Sequence, residues 1–312
     1  MKVIKSGFFL LSISLLVSCD LFISEDILDK TTLPPIAENK EIEAKGLDKA
    51  YWYNGEAEVS KYDLQQYRYR DVHTGGELVT IFVTEDFLTD KQVKNDNYTN
   101  KNSTPILKMN SIRRFTTGIY DYSIMTSVFT RVDGSSTDKI TLSSQDWCGQ
   151  SFVQVNKTGK NKYKVQIRSY FENEGDTDFT VSADLLEDEV LSLLRIDPDL
   201  IPTGAVDILP SLTHLRFSHT NMKSAKAQIS KTNNGDGTST MILDYSGSRK
   251  VKVTYDTSGP HVIRSISDDY VTRNKSTKAT LSQQIKKAYW GANSLSDQPL
   301  RKDLSITGFG DK

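Results

Sequence analysis

Apolar and polar residues alternate along most of the chain from Tyr51 onward, which is the pattern of β-strands that bury one face. In the first such segment, 57–69, the apolar positions change face near Ser60, and such a change predicts a β-bulge. The alternation returns in later segments, which the sequence places at 77–84, 105–115, 119–132, 147–156, 163–171, 212–217, 225–231, 238–245, 250–255, 262–267 and 278–290. The pattern therefore predicts about a dozen strands.

Short turns rich in glycine, asparagine and serine connect the later strands, at 233–237, 245–248 and 256–260. Glycine and asparagine tolerate the positive φ angles that tight hairpins require. The C-terminal third of the chain is therefore predicted to be an antiparallel meander, in which consecutive strands are neighbours.

One segment, 182–194, has the spacing of a helix instead. Ser182 is a candidate N-cap, Val190 and Leu193 recur at a helical interval, and Asp197-Pro198 ends the pattern. The apolar side of such a helix needs a partner, and the concave face of a curved sheet is the simplest one. The predicted fold is mainly β: a large antiparallel curved sheet or open barrel, built of meanders, with one helix packed against it.

The first residues are organised as an export signal. Two lysines precede an apolar run at 7–17, which is too short to span a bilayer as a helix. Ser18 stands directly before Cys19, as in the lipobox of bacterial lipoproteins. We predict a lipoprotein signal peptide at 1–18 and lipidation of Cys19. An ordinary secretory signal with a chance cysteine, or a short buried helix, is the alternative.

The rest of the chain divides by composition. Residues 19–48, which begin with the lipidated cysteine, are acidic, contain Pro34-Pro35 and are predicted to be a flexible tether. The β-rich domain is assigned to 49–300, as one sheet or as two lobes that meet near 196–206, and a C-terminal tail to 301–312. A lipid anchor implies a place in the bacterial cell envelope, at the outer membrane, on its periplasmic or surface-exposed side.

Charge and cysteine content narrow the possible partners. The 39 basic and 40 acidic residues nearly balance, so the chain lacks the basic field that nucleic-acid binding needs, and we expect no nucleic-acid partner. The sequence contains 2 cysteines. If Cys19 carries lipid, Cys148 has no partner for an intramolecular disulfide. The expected partners are the membrane, through the anchor, and an apolar ligand or an envelope protein.

Motifs for metal or cofactor chemistry are absent from the sequence, which has no P-loop, GxGxxG, GxSxG, HExxH or CxxC. His214 and His219 are five residues apart in a predicted strand and would point to opposite faces, which makes them a poor metal pair. The acidic run at 172–178 lacks the residue order of a calcium loop and is better explained as a solvated turn. We expect no metal and no cofactor.

Cys148 lies in the most distinctive local motif, at 145–150. A cysteine beside Trp147 could act as a nucleophile if a histidine lay near it, but a small buried hydrophobe is the commoner role. We assign no catalytic residue. Trp52, Trp147, Cys148 and Trp290 are taken as a candidate ligand-binding or packing face.

Several segments resemble an uncharacterised lipoprotein family of Bacteroidota whose members often bear the label septum formation inhibitor Maf. The segments that carry this resemblance are 58–69, 81–87, 91–94, 115–127, 145–149, 169–176 and 288–291. Maf proteins proper are cytoplasmic nucleotide pyrophosphatases with an α/β fold and an N-terminal phosphate-binding motif, which this sequence lacks. The resemblance therefore implies the envelope location and the β-rich fold, and no activity.

Three functional hypotheses remain open. The protein could be a binding module whose concave face holds an apolar ligand or a partner protein. It could be an envelope enzyme centred on Cys148, or a structural component whose sheet is filled by its own helix. A helix that fills the concave face would reduce the ligand volume, and a buried Cys148 without a nearby histidine would argue against the enzyme.

Overall fold

A computed structural model describes residues 47–306, which form one 16-stranded sheet with four short α-helices. The predicted signal peptide, Cys19, nearly all of the tether and the last six residues of the tail lie outside the described residues. The strands are β1 (Ala57–Arg68), β2 (Asp71–Leu88), β3 (Val93–Lys94), β4 (Ser103–Thr117), β5 (Tyr120–Arg131), β6 (Thr137–Asp146), β7 (Gly149–Gly159), β8 (Lys162–Ser169), β9 (Asp176–Ser182), β10 (Leu185–Leu186), β11 (Gly204–Leu209), β12 (Ala225–Asn233), β13 (Thr238–Tyr245), β14 (Arg249–Asp256), β15 (Ile263–Tyr270) and β16 (Lys275–Lys287). The helices are α1 (Lys49–Trp52), α2 (Val190–Ile196), α3 (Leu212–Ser218) and α4 (Pro299–Asp303).

The strands follow one another across the sheet in the order β10-β11-β12-β13-β14-β15-β16-β1-β2-β4-β5-β6-β7-β8-β9, with β3 paired to β2. All pairings are antiparallel except that of β10 with β11. The first long strand pairs with the last, from Ala57 opposite Lys287 to Gln65 opposite Lys278, so the two halves of the chain share one sheet. The predicted antiparallel curved sheet with a helix packed against it is confirmed, and the sheet does not close.

Local chemistry explains the strands that the sequence predicted. The register of β1 against β16 shifts between Lys61 and Tyr62, which is the bulge expected near Ser60. The three predicted turns join β12 to β13, β13 to β14 and β14 to β15. In β14, buried and half-buried residues alternate without interruption. The C-terminal meander is therefore confirmed.

The helix expected at 182–194 is wrong in its bounds. Ser182 is the last residue of β9, and Leu185 and Leu186 pair with β11. A single 3-10 turn at Glu187–Glu189 leads into α2, which covers only Val190–Ile196. The pairing with β11 and a hydrogen bond from the Leu186 N–H to the Glu189 carboxylate at 2.9 Å hold the two leucines in extended backbone, and these contacts outweigh their helical spacing.

Residues 212–217 form α3, so the strand predicted there is wrong. The Ser211 hydroxyl accepts a hydrogen bond from the His214 N–H, as an N-cap does, and His219 ends the helix in the left-handed conformation. The sequence also missed the strands β3, β6, β9, β10 and β11. β9 has only one fully buried residue, Val181, so its alternation is weak.

The main core lies between the sheet and the short helices. α2 packs against β4 and β5, and buried leucines and isoleucines of α2 and α3 belong to the same core as those of the strands. A smaller cluster on β1 and β2 is covered by Leu304, which follows α4. No helix within residues 47–306 is long and apolar enough to cross a bilayer.

The antiparallel order gives the sheet two ends. The turns β1–β2, β4–β5, β6–β7 and β8–β9 lie at one end, which we call the upper end. Helix α1 and residues 288–306 lie at the other, lower end, because they adjoin the start of β1 and the end of β16. The chain passes from β9 to β10, the two edge strands, through only two residues, Ala183 and Asp184. Toward the upper end, the edge formed by β9 and the edge formed by β10 do not pair with each other.

Candidate functional site

The four residues predicted to share a face lie at both ends of the molecule. Trp52 is buried in the core at the lower end, with its ring 6.2 Å from that of Phe82. Trp290 is half-buried in a 3-10 turn at the same end. Trp147 and Cys148 form the β6–β7 turn at the upper end, where the Trp147 side chain is 68% exposed. The structure brings Trp147 and Cys148 together through the chain itself and places the other two tryptophans elsewhere.

Cys148 is exposed, so the expectation of a buried hydrophobe is wrong. Its backbone N–H donates to the Asp146 carboxylate at 2.7 Å, which fixes the turn. Partial desolvation and the nearby Asp146 carboxylate raise the pKa of the thiol. Within residues 47–306 the thiol has no histidine among its hydrogen-bond partners. The raised pKa of the thiol is the opposite of the lowered pKa that activates a catalytic cysteine.

A cleft of about 780 Å³ opens between β7–β9 and α3, where the two edges of the sheet diverge. We call it the seam cleft. Its apolar lining is formed by side chains from three strands, from the β8–β9 turn, from α3 and from the segment after α3: Val153, Ile167, Phe171, Phe179, Leu212, Leu215 and Met222. This volume falls within the range of about 300–1,000 Å³ that is usual for small-molecule sites.

The polar corner of the seam cleft is built around Arg216 of α3. Its guanidinium donates to Glu174 at 3.2 Å, lies 3.9 Å from the Asp146 carboxylate and sits 4.3 Å from the centre of the Phe171 ring. His219 also contacts Glu174, at 2.9 Å. The Arg216 side chain is 5% exposed, and its buried Nε atom has no hydrogen-bond partner within the described chain. The corner thus keeps one unsatisfied donor on a cation beside an apolar cleft.

A second charged cluster lies inside the sheet. Arg249 of β14 donates to both oxygens of Glu187, at 2.6 and 2.7 Å, and to Asp268 of β15 at 2.7 Å. Tyr245 donates to the same Glu187 at 2.5 Å, and His214 lies 3.3 Å from the Tyr270 hydroxyl. Burial raises the pKa of Glu187, but the Arg249 guanidinium and the hydrogen bonds to Glu187 outweigh it and hold that pKa below its ordinary value. The cluster fastens the 3-10 turn before α2 to the sheet.

This cluster borders an inner cavity of about 110 Å³, also lined by Arg113, Asp188 and His214. The Asp188 carboxylate accepts a hydrogen bond from the Leu212 N–H at 2.8 Å and so holds the first turn of α3. Burial, together with the neighbouring Glu187, raises the pKa of Asp188 to about 7 despite that bond. Burial lowers the pKa of His214, and Arg249 adds to the effect. The cavity is too small for the ligands that the seam cleft can take.

The histidines of these sites lie where the sequence does not predict them. The sequence predicts a strand with His214 and His219 on opposite faces, whereas α3 directs His214 to the inner cavity, and His219, which ends α3, contacts Glu174 at the seam cleft. Glu174 belongs to the acidic run at 172–178, which does form a turn followed by β9. No group of three metal-ligating side chains occurs in the part of the chain that the structure describes. Arg216 was missed, because a single arginine in a short apolar run carries no sequence signal.

Comparison with known proteins adds little about function. No protein-family model matches the chain, and no curated protein does. A crystal structure from Brucella abortus, described as a beta-barrel-like protein of domain of unknown function DUF1849, is similar at 8% sequence identity and a TM-score of 0.45. The match covers 74% of this chain and 98% of that chain. Its low TM-score supports no argument about activity or ligand.

Proposed function

We propose that this protein is a lipid-anchored binding module of the bacterial cell envelope, and that the seam cleft holds a single-chain amphiphile. The observation that carries the proposal is the cleft of about 780 Å³ with an apolar lining and Arg216 at its polar corner. Helix α2 packs against β4 and β5 in the main core, and the seam cleft lies apart from it, where the sheet edges diverge.

The lining favours an apolar chain with an acceptor at one end. Each methylene that leaves water for such a lining contributes about 0.8 kcal/mol. The buried Nε of Arg216 is an unsatisfied donor, and an unpaired buried donor costs about 1–3 kcal/mol. A head group with an acceptor oxygen would satisfy that donor. Because the Glu174 and Asp146 carboxylates already balance the Arg216 charge, we infer a polar head group that accepts a hydrogen bond and need not be anionic.

Binding can be tested with a dansyl-labelled C11 carboxylate and a blocked cleft. Thr177 and Thr180 are both exposed residues of β9, but only Thr177 lines the cleft. We expect Thr177→Trp to abolish the rise in dansyl emission, because the indole occupies the space of the acyl chain. Thr180→Trp, the matched control, should bind as the wild type does. Equal binding by both variants, or none by the wild type, would contradict the proposal.

The anchor is tested separately, since it rests on the sequence. The lipobox pattern at Cys19 predicts that the exported chain fractionates with membranes. Cys19→Ser should release it to the soluble fraction without changing dansyl binding. A wild-type chain that carries no acyl mass at Cys19 would rule out the lipid anchor and leave the cleft hypothesis standing.

A further inference from the structure

Large apolar side chains are concentrated on the turns of the upper end. Tyr69 is 51% exposed on the β1–β2 turn, Ile119 82% on the β4–β5 turn, Trp147 68% on the β6–β7 turn and Tyr170 75% on the β8–β9 turn. These turns follow one another around the sheet, since the strands they join are neighbours in the order β1 to β9. We call these four side chains the upper rim.

The upper rim is held in place by contacts among its turns. The Tyr69 hydroxyl is 2.8 Å from that of Tyr120 and 2.7 Å from that of Tyr122. The Tyr120 ring lies 6.4 Å from the Trp147 ring. Beneath them, Arg68 stacks 4.3 Å from the Tyr69 ring centre. The exposed rings are thus supported by neighbouring turns and present a defined surface.

We propose that the upper rim docks on a lipid bilayer and inserts Ile119 and the aromatic rings into its interfacial layer. Tryptophan and tyrosine prefer this layer because they combine an apolar ring with a polar group. Each rim side chain stands on its own turn at one end of the sheet, so all four can enter a bilayer surface together. A protein interface would instead need one continuous buried patch, whereas the four rim side chains stand on four separate turns. A bilayer surface therefore fits this arrangement better than a protein partner does.

Charge indicates how the rim would bind. The turns at 69–70, 118–119, 147–148 and 170–175, together with the β15–β16 turn at 271–274 at the same end, contain two basic residues, Arg70 and Arg273, against Glu172 and Glu174. Asp71 and Asp121 follow directly at the strand starts. A basic patch that recognises anionic lipids is therefore absent from these turns. Docking by apolar insertion should not need anionic lipid and should vary little with salt.

Residues 20–46 are long enough to let the upper end meet the membrane that holds the chain. Fully extended, these residues span at most about 90–97 Å. The longest strand, β2, has 18 residues and spans about 60 Å. An anchor at Cys19 is thus compatible with docking by the upper end, although the described chain begins at the lower end. The rim proposal does not depend on lipidation or on a ligand in the seam cleft.

Trp147 itself reports the docking. The full chain is added to neutral phosphatidylcholine vesicles with brominated acyl chains, which quench tryptophan that enters the bilayer. The Trp147→Phe variant supplies the background from the buried Trp52 and the half-buried Trp290. We expect the Trp147 part of the emission to shift to the blue and to be quenched. If the Trp147 emission is not quenched, the proposal is overturned. This is also the result expected if the rim binds a protein and not a bilayer.

Further variants establish that the rim acts as one surface. Ile119→Ser or Tyr170→Ser should each lower the ratio of docked to undocked rim, read from Trp147 quenching, by about tenfold. Leu295 is 83% exposed at the lower end, so Leu295→Ser is the matched control and should leave the quenching unchanged. Equal losses for Leu295→Ser and the rim variants would show nonspecific adhesion and would overturn the proposal.

Discussion

The ion pair between Arg195 and Glu58 joins α2 to the first strand, and its removal should destabilise the protein strongly. The Arg195 side chain is 0% exposed and that of Glu58 is 2% exposed. Arg195 also donates to the Pro260 carbonyl at 2.5 Å and lies 5.0 Å from the Trp52 ring centre. Substitution by methionine keeps much of this packing but leaves the Glu58 carboxylate without its cation.

The expected magnitude follows from that burial. Breaking a buried ion pair by removing one partner costs about 3–5 kcal/mol, because the remaining charge is desolvated and unpaired. The cation–π attraction between Arg195 and Trp52 is lost, but contacts between the methionine sulfur and Trp52 would replace part of it. Each of these two interactions is worth about 0.5–1.5 kcal/mol, so they largely offset each other. We therefore expect Arg195→Met to lower the free energy of unfolding by about 3–5 kcal/mol. The double variant Arg195→Met/Glu58→Gln should recover at least about 1 kcal/mol of it.

Urea unfolding, followed by far-ultraviolet circular dichroism and by tryptophan emission, measures these free energies. Trp52 stands beside the pair, so both signals should change together. Arg264→Met is the control, since its pair with Asp256 leaves the arginine 51% exposed and should be worth about 0–1 kcal/mol. A loss below about 1 kcal/mol for Arg195→Met, or strict additivity in the double variant, would refute the reasoning.

Two further predictions concern the inner cavity and a tight turn. The pKa of Asp188 is about 7 in the folded protein and about 3.9 in an unfolded chain, so the folded state holds the extra proton between these values and wild-type stability should fall as pH rises from about 4 to 7. In Asp188→Asn this part of the pH dependence of stability should vanish, and the free energies of unfolding at pH 5 and pH 8 measure it. If the variant keeps the pH dependence of the wild type, Asp188 is not the buried carboxyl responsible. Gly134 has φ +69°, and an added Cβ would lie 2.3 Å from Leu200, whereas Gly235, at φ +78°, has open space. Gly134→Ala should therefore lower the melting temperature more than Gly235→Ala, and equal shifts would contradict the clash.

Local patterns in the chain were sufficient to predict most strands and the C-terminal meander. The alternation in β14 and the glycine-rich turn before β13 depend on side chains close in sequence, so they are visible without a structure. The helix bounds were not predictable in the same way. Leu185 and Leu186 have helical spacing, but a parallel partner strand about 20 residues later makes them a strand.

The site residues were harder to predict because the seam cleft is a product of topology. Phe171, Phe179 and Leu215 become neighbours only because β9 and β10 are the opposite edges of one sheet, and these edges diverge toward the upper end, beside α3. No spacing within any one segment encodes that divergence. Residue type alone suggests a shared face for the tryptophans, but type does not distinguish Trp52, which is in the core, from Trp147, which is on the upper rim.

The sequence by itself determined the mainly β fold class and the turns of the C-terminal meander, because each depends on residues within one short window. The export signal at 1–18 remains a prediction from the sequence. The tertiary structure alone decided that β1 pairs with β16, that residues 212–218 are a helix, and that the sheet stays open beside α3. These outcomes depend on contacts between residues as far apart as Ala57 and Lys287, and the packing of the whole sheet sets which of these contacts form.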